Sequence, residues 1–267
     1  MERLRKGIGK ERSMLVLTIC ALLLVPSGRL LRWLIPGADT EAVPYALAVC
    51  LQELVLWLLP ALLMRPWRLQ RLGRKEHLTA LALLACPMGA CIQLSTAAAR
   101  SFFASDAVSS GILLPRDALG WAATVAALVI VPAFCEEAFF RGCLAVDLQH
   151  ASGTAAALAL SPLFFAMLHG SPSALPSLLC LGVMDALLML ATGRVWVPML
   201  CHLGYNAMAL VMAVIDVPAV LGLAGLLPLC VFVWQLRRVT FTPFRRPAPG
   251  DLLLALLAAS ACLLRFL

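Results

Sequence analysis

Apolar residues run through this chain in long blocks, separated by short polar breaks that carry glycine, proline or arginine. A helix that crosses the hydrocarbon core of a bilayer needs about 20 mostly apolar residues. Blocks of that kind fall near 14–35, 44–64, 78–99, 118–148, 153–170, 174–192, 195–215 and 217–236. A ninth, shorter run at 251–264 is a span, a re-entrant piece or an interfacial helix, and its pattern does not decide among them. The expected fold class is all-α: a polytopic transmembrane helical bundle of about eight spans with a short ninth candidate. The blocks recur too steadily to leave room for a separate soluble unit. One integrated membrane domain is therefore expected, with N-terminal membrane helices in 1–117, a core in 118–215 and C-terminal membrane helices in 216–267.

The fourth block is unusual, because it runs from Leu119 to Gln149 with Glu136, Glu137 and Arg141 well inside it. As one helix it would be on the order of 45 Å long, so it must tilt or protrude. Counting outward from the turn at His150 to Thr154, Glu136 lies about as far back as His169 lies forward. Both are then expected at similar depth on adjacent antiparallel helices. His202 and Asn206 follow the Thr192-Gly193-Arg194 turn by one to two helical turns and come within reach if the fourth helix tilts. Pro132, Pro162 and Pro198, inside or near the ends of these spans, are expected to kink them and open space around the polar residues.

Composition agrees with the pattern: of 267 residues, 62% are hydrophobic and only 13% charged, against roughly a quarter charged in a soluble domain. The net charge of +7 raises the question of nucleic acid, which the placement of the positive residues answers. Fourteen of the 21 Lys and Arg fall in the head (Arg3, Arg5, Lys6, Lys10, Arg12), in Arg65, Arg68, Arg71, Arg74 and Lys75, and in Arg237, Arg238, Arg245 and Arg246. With eight crossings all three segments lie on one side, as positive loops retained in the cytoplasm beside anionic lipid do. The expected protein is integral and multi-pass, with its N-terminus and basic loops cytoplasmic, membrane lipid as a partner and no nucleic acid. Arg29 and Arg32 strain this arrangement, since they sit near the outer end of the first span and must snorkel to the interface. The basic head resembles a signal peptide, but no small-residue cleavage site precedes Arg29, so it is expected to stay attached as the first helix. Ten cysteines, scattered singly in apolar runs, read as small packing residues.

Ionisable groups inside a span are costly, so each is a functional candidate. Glu137 and Arg141, four apart, share a helix face and can neutralise one another, whereas Glu136 points elsewhere. An unpaired carboxylate in a low-dielectric site suits general-base chemistry near neutrality; the alternative is a purely structural ion pair beside a protonated Glu. Phe165 and His169 share one face, as do His202 and Asn206. Taken alone, His169 reads more readily as an interfacial residue, and His202 with Asn206 as a helix–helix hydrogen-bonding site. Together, two carboxylates, an Arg, two His and an Asn on three helices exceed what packing needs. Glu53 and Asp185 are weaker candidates, expected mainly as helix–helix hydrogen-bonding groups, and Asp147, His77 and His150 are expected to be solvated.

Taken in order, Glu136-Glu137-x-x-x-Arg141, Phe165-x-x-x-His169 and His202-x-x-x-Asn206 resemble the three motifs of the CPBP intramembrane proteases, which include the CAAX prenyl endopeptidases and bacteriocin-processing or immunity relatives. The run from Thr192 to His202 is similar to a Thr-Gly-Ser-Leu-x-x-Pro-Ile-x-x-His stretch common in that family, with Arg194 in place of the small polar residue. The resemblance spans about residues 118–215 and implies hydrolysis of a peptide bond in a peptide or protein with a membrane-associated segment. It implies Glu136 as the base that activates water, Glu137 and Arg141 as orienting groups, and Phe165 in support. It further implies His169 and His202 binding the water or a metal, and Asn206 donating to the oxyanion. If a metal is bound, Glu136, His169 and His202 are its expected ligands and Zn²⁺ the expected ion, while a metal-free water activated by Glu136 uses the same residues. An ion-coupled transporter would use buried charges differently and predicts an inverted repeat, which is not found. A non-catalytic immunity or scaffold protein would keep these residues for packing.

Overall fold

The computed structural model describes residues 2–64, 78–103, 113–237 and 249–264. Among them the regular elements are helical and none is a strand. The basic loop at 65–77, with His77, and most of the basic stretch 237–250 lie outside the described residues. Helix α1 is Glu2–Leu34; α2 (Ala42–Glu53) and α3 (Leu59–Met64) are joined by a π turn at Leu54–Leu58; α4 is Leu78–Phe103. The fourth block is α5 (Ala118–Val125), a π turn at Ala126–Ile130, α6 (Val131–Phe139), a second π turn at Phe140–Leu144 and α7 (Ala145–Ser152). Then come α8 (Thr154–Leu168), α9 (Leu175–Thr192), α10 (Trp196–Val214), a 3-10 turn at Ala219–Gly225, α11 (Leu226–Leu236) and α12 (Pro249–Leu263).

The molecule is a polytopic helical membrane bundle. Among the described residues, six helical stretches are long and apolar enough to cross a bilayer: Arg12–Leu34, Ala42–Met64, Leu78–Ala99, Ala118–Ser152, Leu175–Thr192 and Trp196–Val214. The blocks read near 153–170, 217–236 and 251–264 are the shorter apolar helices Thr154–Leu168, Val220–Trp234 and Leu253–Leu263. Glycines shorten the first of these. Gly153 at φ 95° and Gly170 at φ 61° take up backbone conformations that other residues resist, and they stop α8 at 15 residues.

Prolines account for two of the three π turns. Pro60 and Pro132 have no N–H, so the carbonyls of Leu56 and Leu128 lose their helical partners and the chain widens at those points. The Cys20 thiol of α1 donates to the Leu56 carbonyl at 3.0 Å, recovering one of these acceptors and pinning α1 to α2. The third π turn has no proline; there the Ser161 hydroxyl of α8 donates to the Phe140 carbonyl at 3.1 Å. The 35 residues of Ala118–Ser152 thus form one long helix with two wide turns, the second beginning three residues after Glu137.

Helix α10 is placed by close backbone approach to α4. A Cβ on Gly89 would collide with the Cys201 carbonyl, and one on Gly204 with the Cys86 carbonyl. Small residues at such crossings are the usual means of tight association in a bilayer, where no hydrophobic force separates helix from lipid. At the other end of the contact, Thr96 and Ser177 hydroxyls lie 2.8 Å apart and Ser177 also contacts Gln93 and Tyr205, tying α4, α9 and α10 together.

One expectation about charges is corrected and one is extended. Asp147 is half-buried and accepts a hydrogen bond from Ser13, so it fastens the start of the membrane-crossing part of α1 to α7 instead of being solvated; His150 is exposed as expected. Arg32 does not only reach for the interface: its Nε lies 3.7 Å from Asp39 Oδ1 in the turn between α1 and α2.

Candidate active site

Glu136 and Glu137 occupy the last turn of α6, between the two wide turns, and both are buried. Being adjacent, they cannot share a face. Glu137 turns inward to Arg141, whose Nη1 donates to its Oε1 at 2.7 Å with both side chains fully buried. Arg141 is further held by the Gly182 carbonyl at 3.1 Å, by Asp185 at 3.9 Å and by the Phe165 ring, whose centroid lies 4.5 Å from the guanidinium carbon. A cation at this depth is tolerable only because carboxylates, a carbonyl and an aromatic face surround it. Gly182 is needed there: a Cβ would stand 3.0 Å from Pro162 Cα and 3.3 Å from Arg141 Nη2.

The same Glu137 Oε1 lies 3.0 Å from His202 Nδ1. Because Glu137 is the ion-pair partner of Arg141 and a carboxylate oxygen only accepts, Nδ1 carries the proton and Nε2 becomes the acceptor nitrogen. That Nε2 stands 3.9 Å from Glu136 Oε2, and Oε2 is buried with no hydrogen-bond partner among the described residues. His169 is set up in a parallel way. Its Nδ1 lies 2.9 Å from the Phe165 carbonyl, which again makes Nδ1 the donor and Nε2 the acceptor. Phe165 stands between the two imidazoles, its ring edge-on to His169 at 4.9 Å and to His202 at 5.5 Å. Phe140 and Trp57 continue this aromatic row toward α2.

A cavity of about 330 Å³ opens on this group. Glu136, Phe140, Phe165 and His169 form one wall; Tyr45, Gln52, Glu53 and Trp57 of the second span, with Gly28 and Arg32 of α1, form the other. The structure therefore brings Glu136, Phe165 and His169 to one cavity, with His202 behind Glu136 and Phe165. Asn206, one turn beyond His202 on α10, is half-buried and is not among the described residues that line the cavity. Glu53 differs from its expectation. It makes no hydrogen bond to another helix among the described residues, and its Oε2 is buried without a partner while the residue faces the cavity beside Glu136. Its mid-span charge was the only signal available, and nothing in spacing links it to a carboxylate over eighty residues away. Asp185 joins the site through Arg141.

Among the described residues, the three that each bring a carboxylate or imidazole atom within 4.8 Å of the other two are Glu137, Asp185 and His202. That is not the set expected for a metal, and it suits none well, because Arg141 already supplies the cation at 2.7 Å and 3.9 Å. Glu136 and His202 do fit one. Two ligands on a tetrahedral zinc, at about 2.0–2.2 Å each, stand about 3.3–3.5 Å apart, so a small closure of the 3.9 Å gap would suffice. The Glu137–His202 hydrogen bond is the outer contact that metal-bound imidazoles usually make. The orphaned Oε2 suits a water equally well.

Neither curated proteins nor solved structures provide a match to this chain. Residues 118–208 match the family model described as type II CAAX prenyl endopeptidase Rce1-like. The matched stretch, about a third of the chain, carries Glu136, Glu137, Arg141, Phe165, His169, His202 and Asn206 and is thus similar to the type II CAAX prenyl endopeptidases.

Proposed function

We propose that this protein hydrolyses a peptide bond in a membrane-associated polypeptide with a water activated by Glu136. The observation that carries the reading is the 3.9 Å separation between Glu136 Oε2 and His202 Nε2, too long for a direct hydrogen bond and suited to one shared water. Glu136 takes the proton as the water attacks the scissile carbonyl and returns it to the leaving amine. His202, its Nδ1 held by Glu137, offers Nε2 to the same water, and the buried Arg141 keeps Glu137 an acceptor. His169 presents Nε2 from the cavity wall, oriented by the Phe165 carbonyl and ring. Asn206 donates to the oxyanion of the tetrahedral intermediate, the role its place one turn from His202 supports. A bound Zn²⁺ would be held by Glu136 and His202, with His169 beyond Phe165 outside the ligand cluster, and would supply Lewis-acid polarisation and water activation.

The N-terminus and basic loops are cytoplasmic in this reading. Arg32, Tyr45 and His169 lie at the ends of α1, α2 and α8 remote from the basic head, so the cavity opens toward the opposite side. The test is cleavage of a fluorogenic peptide with an apolar segment by purified protein in bilayer discs. His202→Ala is expected to lose at least about 100-fold in rate with unchanged thermal unfolding. Equal cleavage by wild type and this variant would overturn the proposal. Loss of activity on chelation, restored by zinc, would assign the metal form; indifference to chelation would assign the metal-free one.

A further inference from the structure

Glu53 is a carboxylate on this cavity to which the hydrolytic reading gives no work. It is the last residue of α2, in the middle of the second span and outside the family-matched residues 118–208. Its Oε2 is buried and has no hydrogen-bond partner among the described residues. The N–H groups around the cavity are engaged elsewhere. Gln52 Nε2 donates to the Leu24 carbonyl and to Ser27 Oγ. His202 Nδ1 is held by Glu137, His169 Nδ1 by the Phe165 carbonyl, and Arg141 by Glu137, Gly182 and Asp185. Arg32, the one Lys or Arg among the described lining residues, pairs with Asp39. Tyr45 stands eight residues back from Glu53 on α2, about 12 Å along the helix axis.

The cavity therefore holds two buried carboxylate oxygens without partners, one on Glu53 and one on Glu136, and the two charges repel one another. In the hydrolytic reading a water between Glu136 and His202 satisfies the second; none of the described residues satisfies the first. A carboxylate at this depth in a bilayer is costly unless a cation meets it. We infer that Glu53 is a specificity-determining residue which receives a basic side chain of the substrate, the ammonium of a lysine or the guanidinium of an arginine. The inference rests on the hydrolytic reading and names the class of peptide for the same cavity. A cation there pairs with Glu53 and is drawn by Glu136 as well, whereas both repel an acidic side chain. Trp57, Phe140 and Phe165 keep water from the pair and so strengthen it. Lys and Arg suit such a place, because their methylene stems lie along apolar walls while the charged head reaches a polar group.

The experiment uses the full-length protein in bilayer discs with apolar-anchored peptides in which each residue flanking the cut is replaced in turn by lysine, arginine, glutamine, norleucine or glutamate. Rates and cut sites are read by mass spectrometry. At the best position, wild type is expected to cleave the lysine or arginine peptide with a kcat/KM about tenfold above its glutamine and norleucine counterparts, and the glutamate peptide most slowly. Glu53→Gln keeps the size of the side chain and removes its charge. It is expected to bring basic and neutral peptides to within about twofold of one another, chiefly by raising KM for the basic ones. The wild-type ranking needs no variant to fold: cleavage with no preference for basic over neutral peptides overturns the inference and leaves the hydrolytic reading standing. A tenfold preference that persists in Glu53→Gln overturns it too, since the cation is then held by another group. No cleavage of any peptide by wild type removes both.

Discussion

Adjacent carboxylates in this site do different work because a helix sends them in different directions. Glu137 was legible as the partner of Arg141 from its four-residue spacing, and the 2.7 Å ion pair bears that out. Its second contact, with His202 at 3.0 Å, was not legible, since no spacing rule connects residues 65 apart in sequence. For the same reason the acid–imidazole cluster within 4.8 Å is Glu137, Asp185 and His202 and not the expected ligand set. Removing the charge of Glu137 leaves Arg141 buried with only the more distant Asp185 at 3.9 Å. Glu137→Gln is accordingly expected to lower stability by about 3 kcal/mol, the smaller end of what breaking a buried pair costs. Thermal unfolding in detergent checks it, and a variant as stable as wild type would show that Asp185 alone suffices.

Helices were read well from the apolar blocks, but their internal geometry was not. Pro132 announced a disturbance, yet only the structure shows it, and a second one at Pro60, taken up as wide turns within continuous helices. The second wide turn of the fourth block, at Phe140–Leu144, has no sequence signal at all and depends on Ser161 from α8. Gly89 and Gly204 carried no visible meaning along the chain, because close approach is a property of two helices and not of one. Their crossing fixes the depth of His202, two residues before Gly204. Gly204→Ala forces α10 away from the Cys86 carbonyl and should cost about 1–3 kcal/mol or more. Unchanged unfolding temperature and unchanged cleavage in that variant would mean that the α4–α10 approach does not position the site.

Seen whole, the bundle joins the family-matched segment 118–208 to two N-terminal spans that close its cavity. Ser13 meets Asp147 at one end of the bundle, and the cavity mouth with Arg32 and His169 belongs to the other. The number of blocks was legible, as was the shortness of the ninth; that the blocks at 153–170 and 217–236 are shorter helices was not, because Gly153, Gly170 and a 3-10 turn trim stretches that composition alone shows as continuous. The measurement that tests the account most directly is release of the outer domain of a single-span reporter from intact cells that express the protein. Wild type should release it, and Glu136→Gln, matched in abundance, should release about 100-fold less or none. Equal release by the two would contradict the assignment of Glu136 as the base and, with it, the chemistry derived from this cavity.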